Sequence, residues 1–233
     1  MMQIGITLNQ GKALSRSRKA KIIWAVLALP LVLGSYIFTI LWRVSIAEQA
    51  LYGRSCLLPV SLQAKPTEDE LGTATTFWDN SYSFNQHGKI VHVHSQLVNG
   101  FQHAYGSALA AFELGVAPAD LLFRANEYAE AIFSGRSGSQ PFYLDARKDL
   151  SNNACGRAIG ERARKLGLSR AHAEKYMREE VLRALEQGQV FSHWRDERVL
   201  ALPSLEEYGC PALSQVMETH GNIFRIKDKM HAQ

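Results

Sequence analysis

No aspartate or glutamate occurs before Glu48 in this 233-residue chain. Lys12, Arg16, Arg18, Lys19, Lys21 and Arg43 all precede it, so the first 47 residues carry positive charge alone. The remaining residues hold all 22 acidic side chains against 20 of the 26 basic ones, a formal charge of −2. The net charge of +4 therefore belongs to the N-terminal arm. The main body has no bulk electrostatic case for nucleic acid as a partner. Cysteine is scarce as well, with only Cys56, Cys155 and Cys210. Cys56 and Cys210 stand at opposite ends of the body, where an oxidising compartment could pair them, but three free buried thiols explain the count equally well. The chain lacks an HExxH run, a G-x-S-x-G elbow, a P-loop and a dinucleotide fingerprint, which removes the motif-based case for those chemistries. It also lacks internal repeats and low-complexity tracts. A hydrophobic content of 46% with 21% charged residues argues against wholesale disorder.

One absence is local. Ile22 to Trp42 is 21 residues without a carboxylate, amine or guanidinium. At ~1.5 Å per residue such a helix reaches about 31 Å, close to the ~30 Å hydrocarbon core of a bilayer. Trp24 and Trp42 stand near its ends, where indoles favour the headgroup region. Five basic residues precede the run and Arg43 follows it, so the positive-inside rule predicts a cytoplasmic N-terminus and an exported body. A cleaved signal peptide is the competing reading, with Ser45-Ile46-Ala47 as a small-x-small site, but signal-peptide cores are typically ~7–15 residues long.

Beyond the run, Leu57 to Val60 and Lys65 to Glu70 have linker and turn chemistry. Lys89 to His94, after the turn signal His87-Gly88, predicts a brief strand. From Gln96 the helical period takes over. Leu97, Phe101, Ala104, Tyr105, Ala108, Leu109 and Phe112 mark a first helix ending at Gly115. Pro118 suits the first turn of a second helix through Ile132, and Ser134 to Pro141 predicts a loop. A third helix is expected from Asp149–Asn153 to Gly167. A fourth runs from an N-cap at Ser169 to about Gln187. Leu205 to His220 is helical in pattern but interrupted at Gly209-Cys210-Pro211, and Asn222 to Ile226 suits a short strand. The predicted fold is mainly α: an N-terminal transmembrane helix plus an exported helical bundle with minor β. The expected divisions are a basic cytoplasmic arm (1–21), an anchor (22–42), a linker and lead-in region (43–95) and a helical domain (96–233).

Polar residues interrupt the apolar pattern in three places. Asn99, His103 and Ser107 recur every four residues, so they stack along one face of the first helix beside its apolar stripe. Burying an amide, an imidazole and a hydroxyl there costs desolvation unless they find partners. Asn126, Glu127 and Glu130 follow on the second helix, where a solvated face is the plain reading. Asp149-Leu150-Ser151-Asn152-Asn153 precedes Gly156-Arg157 and Gly160. Capping explains part of this set, but two adjacent asparagines exceed what one cap needs. Gly156 and Gly160, four apart, offer a smooth face for close approach of another helix, plausibly the one carrying His103. The set offers a base in His103, an acid in Glu127 and an orienting carboxylate in Asp149, with Asn152 and Asn153 as amide donors. Asn99, Ser107 and Arg157 would contact substrate. The same imidazole and carboxylates could ligate a divalent metal, and His92 and His94, alternating along the predicted strand, could add nitrogen ligands. Cys155 as a nucleophile is the weakest option, because packing accounts for it.

Asn99-Gly100-Phe101-Gln102-His103-Ala104-Tyr105, the downstream Glu127, and Asp149-Leu150-Ser151-Asn152-Asn153 with Gly156-Arg157 resemble a bacterial family of helical domains of unknown function. The family pattern is roughly N-x-F-R-H-A-Y, then H-E, then D-L-x-N-N-x-x-G-R, and the resemblance covers about residues 96–190. Here Gln102 stands for its arginine and Asn126 for the histidine before Glu127, which removes one candidate metal ligand. The resemblance implies one shared site rather than a reaction. Location and site together predict a membrane-anchored hydrolase of a cell-envelope substrate, peptidoglycan or lipid. The anchor would seat residues 22–42 in a bacterial inner membrane, with the body periplasmic. The alternatives are a non-catalytic envelope assembly, inhibitor or interaction protein, and an envelope-active toxin.

Overall fold

The computed structural model describes residues 16–52, 55, 57, 81–86, 89–133 and 140–213, with side chains described for 28, 31–52, 55, 57, 97–133 and 142–213. The described residues are mainly helical, in five α-helices and one β-hairpin. The chain divides into two units, Met1–Thr39 and Ile40–Gln233, and the first helix, α1 (Arg16–Tyr52), contributes to both.

In the first unit, Leu31, Val32 and Phe38 are exposed, at 76%, 65% and 62%. Thr39 donates its hydroxyl to the Ser35 carbonyl at 2.9 Å, which keeps that polar group satisfied within the helix. Leu31–Tyr52 is long and apolar enough by composition to cross a membrane, a test that signal sequences and core helices also pass.

The second unit begins inside the same helix. A linker was expected from residue 43, but the helix continues to Tyr52. Ile40, Val44, Ala47 and Tyr52 recur on one face and are buried, with the Tyr52 ring edge-on to Phe101 at 5.8 Å. Arg43, the cation expected to follow the anchor, is enclosed instead. It reaches Glu113 at 2.6 Å and Glu174 at 2.9 Å, with its side chain 10% exposed.

Residues Ser81–Gln86 (β1) and Lys89–His94 (β2) form an antiparallel hairpin, with Ser81 opposite His94 and Gln86 opposite Lys89. The second strand was expected and the first was not. The side chains of His92 and His94 lie outside the described residues, as do Cys56, Ser134–Ser139 and the expected strand at Asn222–Ile226.

Helix α2 (Ser95–Leu114) packs against three other helices: α3 (Val116–Phe133), α4 (Gln140–Lys165) and α5 (Arg170–Glu186). Val98, Phe101, Ala104, Ala108 and Leu109 of α2 are wholly buried. Gly115 alone separates α2 from α3, and its φ of +93° is available to glycine at little cost. Helix α5 carries Ala173, Met177, Val181 and Ala184 inward at helical spacing, ending at Gly188. The following chain returns over α2 and α4, where Val190, Phe191 and Val199 are buried. Leu205, Cys210 and Leu213 then close a cluster with Ala131, Phe142, Ala146 and Leu150. Cys210 is a free thiol in that cluster.

Helix α4 differs most from expectation. It starts at Gln140, about two and a half turns before the cap expected at Asp149–Asn153, with Pro141 in its first turn. The Asp and Asn residues are therefore mid-helix, and their polarity is not capping chemistry. The glycines behave as expected. A Cβ on Gly156 would lie 2.0 Å from the Ala104 carbonyl oxygen of α2, and one on Gly160 would lie 2.1 Å from that of Ala108.

Backbone atoms inside a helix cannot give way as a side-chain tip can. Gly156→Ala is therefore expected to destabilise the protein by about 3 kcal/mol, at the high end of overpacking costs. Gly34→Ala, with nothing within 4 Å of the added carbon, should leave the melt unchanged or slightly raised. Thermal unfolding of the full chain in detergent, followed by circular dichroism, checks the contrast.

Candidate functional site

The glycine contact sets the register of α4 on α2. Asp149 and Asn153 lie seven and three residues before Gly156, on the same face, and His103 precedes Ala104. Glu127 arrives from α3. One ligand-type atom from each of His103, Glu127 and Asp149 lies within 4.8 Å of the others. His103 Nδ1 is 3.9 Å from Glu127 Oε1, and its Nε2 is 3.5 Å from Asp149 Oδ2. The carboxylate side chains are 2% and 3% exposed and the imidazole 11%, so the histidine is the most exposed of the three.

Lys148 joins the cluster from below. Its side chain has no exposure, and its ammonium donates to Asn99 Oδ1 at 2.7 Å and to Asp145 Oδ1 at 2.6 Å. It also lies 3.2 Å from Asp149 Oδ1. Burial alone would make this amine a weaker base, but Asp149 and Asp145 outweigh that and hold its pKa above the ordinary value. The cation therefore persists inside the protein.

His103 is driven the other way. Burial chiefly, with the Lys148 charge second, lowers its pKa to about 4 against the pull of Glu130, Asp145 and Asn153. At neutral pH the ring is uncharged, so its two carboxylate neighbours are not ion-pair partners. Glu127 is raised well above the usual carboxylate value, first by burial and then by the charges of Asp149, Glu130 and Asp145.

Of the residues expected at a site, His103, Glu127, Asp149 and Asn153 come together, and Asn99 joins through Lys148. Glu127 was read beside Asn126 and Glu130 as part of a solvated face; it is buried, while Asn126 is exposed. Asn152 serves a different purpose. Its Oδ1 accepts from the Phe191 N–H at 2.8 Å and its Nδ2 donates to the Phe191 carbonyl at 2.9 Å, a clasp on the returning chain. Arg157 pairs with Asp120 of α3 at 2.8 Å rather than entering the cluster. Ser107, one turn beyond His103, is buried, and its hydroxyl has no hydrogen-bond partner among the described residues. Cys155 is partly buried with its thiol pKa raised by burial, the opposite of what an activated nucleophile requires. Sequence reading missed Lys148 and Asp145. Both stand on the Asp149 stripe, a signal concealed by starting α4 nine residues late.

The chain matches no protein-family model, no curated protein and no solved structure.

Two outcomes are expected. Asn152→Ala strands a buried N–H and a buried carbonyl of Phe191, at about 1–3 kcal/mol for each group, and should lower the melting temperature accordingly. The pH dependence follows from linkage. The His103 ring has a lower pKa folded (about 4) than its ordinary 6.5. Its contribution to stability is full above pH 6.5 and is lost as the pH falls toward 4, on the order of 3 kcal/mol in all. Glu127 has a raised folded pKa, so its contribution is full below its ordinary 4.5 and is lost as the pH rises through the folded value. Glu127→Gln removes that loss and should be at least as stable as the wild type at pH 7. Urea unfolding between pH 4 and 8, with chelator present, measures both.

Proposed function

We propose that this is a membrane-tethered hydrolase of the bacterial cell envelope, with His103, Glu127 and Asp149 as its reactive centre. The observation that carries the reading is the convergence of these three side chains from three helices onto one point, with the imidazole the most exposed of the three. In the reaction, the oxygen of a water molecule bonds to the electrophilic atom of the substrate as the leaving-group bond breaks. The proton released by the water passes through the imidazole and carboxylate pair to the leaving group. Asp149 orients the ring, and Lys148 holds Asp149. Asn153 is the amide donor nearest the ring.

The tether reading rests on the apolar run and its basic flank. Because Ile40 onward buries one face in the body, the segment free to span is Ile22–Thr39, 18 residues. That is about 27 Å of helix, near the short end of spanning lengths. Trp42 and Ile46, 42% and 51% exposed, would then sit at the interface on the outward side.

A non-catalytic envelope partner is the second reading. The specific observation favouring it is that Lys148 and Asn152 are fully engaged by internal partners, as residues of a locked bundle would be.

The two separate in one experiment. The full chain in detergent is assayed on purified peptidoglycan and, in a parallel arm, on phospholipid vesicles, with melting temperatures for every variant. The hydrolase reading expects turnover in one arm and a loss of about 10²–10⁴-fold in His103→Ala and Glu127→Gln with the fold retained. No turnover in either arm, with His103→Ala strongly destabilised, would leave the bundle reading standing instead.

A further inference from the structure

We propose that His103, Glu127 and Asp149 form a binding site for a divalent first-row transition-metal ion, with the Asn153 side-chain oxygen as a fourth donor. This deepens the hydrolase reading and rests on it in taking these side chains as the functional centre.

The geometry is close to a coordination shell. Nitrogen and oxygen ligands sit ~2.0–2.2 Å from such an ion, so neighbouring donors in a shell are roughly 3–3.5 Å apart. An ion takes one ring nitrogen, and on the Nε2 side the 3.5 Å to Asp149 Oδ2 is already at that spacing. The 3.9 Å contact of Glu127 Oε1 is to Nδ1, the other nitrogen, so Glu127 joins the same shell by moving from there. With all three donors inside 4.8 Å, side-chain adjustments on the order of 1 Å would close the shell.

Asn153 supplies the independent observation. It has no exposure, and neither its Oδ1 nor its Nδ2 makes a hydrogen bond of ordinary geometry among the described residues; the interaction it does make is a looser hydrogen bond with the His103 ring. Buried amides are nearly always fully paired, so one whose pairing is confined to a loose bond with the imidazole marks a place where something polar binds. His103 Nδ1 and Glu127 Oε1 also lack hydrogen bonds there.

Charge points the same way. Lys148 is the one cation the described residues bring to the cluster, set against Asp145, Glu127, Asp149 and Glu130. A dication would offset the remaining negative charge. One imidazole with oxygen donors and no thiolate suits Zn²⁺, Mn²⁺ or Fe²⁺ and disfavours Cu⁺.

The test uses the full chain in detergent micelles, stripped with chelator and titrated separately with zinc chloride and manganese chloride by calorimetry. One equivalent of at least one ion should bind. Glu127→Gln, which keeps the shape and removes the charge, should weaken binding at least tenfold, and the ion should raise the wild-type melting temperature more than the variant's. His103→Ala is the second variant. For the wild type itself, paramagnetic broadening by Mn²⁺ should fall first on the His103 ring and on α3 near Glu127. No stoichiometric binding of either ion, unchanged affinity in a folded Glu127→Gln protein, or broadening centred elsewhere overturns the site. Stoichiometric binding without envelope turnover would end the hydrolase reading and leave the metal site intact. Turnover insensitive to chelator, with no binding, would do the reverse.

Discussion

The contact of α4 on α2 through Gly156 and Gly160 fixes where almost every polar side chain of the body can go. With no Cβ at either position, the α4 backbone lies against the Ala104 and Ala108 carbonyls. Two helices this close leave no room between them for large apolar side chains, so the stripe that continues from the glycines is read in short polar residues instead. Asn153 and Asp149 follow along that stripe toward the start of α4, facing the His103 region of α2. A second close approach ties in the returning chain: a Cβ on Gly100 would lie 2.7 Å from the Phe191 carbonyl. The Asn152 clasp holds that same residue from α4. Phe191 is thus pinned from both helices, and the two contacts fix α2, α4 and the C-terminal segment as one piece.

Much of this was legible in the sequence because it depends on local chemistry. The apolar period of α2, its stop at Gly115 and the ends of α5 at Ser169 and Gly188 follow from residue type alone, and each appears where expected. The glycine pair was also readable, since close helix approach demands small residues at i and i+4. What misled was α4. Asp, Ser and Asn in succession are the ordinary signature of a helix start, and here they sit in the third and fourth turns of a helix already under way. Tertiary contacts overrode the local preference: the asparagines are spent on Phe191 and on the His103 neighbourhood rather than on their own backbone. The same error hid Asp145 and Lys148. Strand β1 was missed although Tyr82 and Phe84 alternate with Ser81, Ser83 and Asn85, because two aromatics among Ser, Asn and Gln read as turn chemistry without the β-branched residues that marked β2.

Helix α1 changes character along its length. Leu31, Val32, Leu33 and Phe38 are open, whereas from Ile40 one face is buried in the body. Arg43 explains the change in part. A guanidinium enclosed by Glu113 and Glu174 is stable only with both partners present. Those partners come from α2 and α5, so the second half of α1 is held by the bundle and not merely adjacent to it. The formal count of positive charge after the apolar run is accordingly spent inside the protein rather than displayed.

The buried cluster is expensive in a way that packing cannot justify. Exchanging a buried ion pair for apolar residues of similar size is often neutral or favourable, so such groups are weak stabilisers at best. Asn152 illustrates a polar group kept for structure, with both amide atoms matched to one backbone unit. Asn153, the next residue, is equally buried, and among the described residues its pairing is confined to a loose bond with the His103 ring. Glu127 reinforces the contrast: its Oε1 has no hydrogen-bond partner among the described residues, and burial beside Asp149 makes it costly to ionise. Structural need accounts for Asn152, Arg157 and Lys148. It does not account for His103, Glu127 and Asn153 meeting at Asp149, and those are the side chains a bound cation or a reacting water would use.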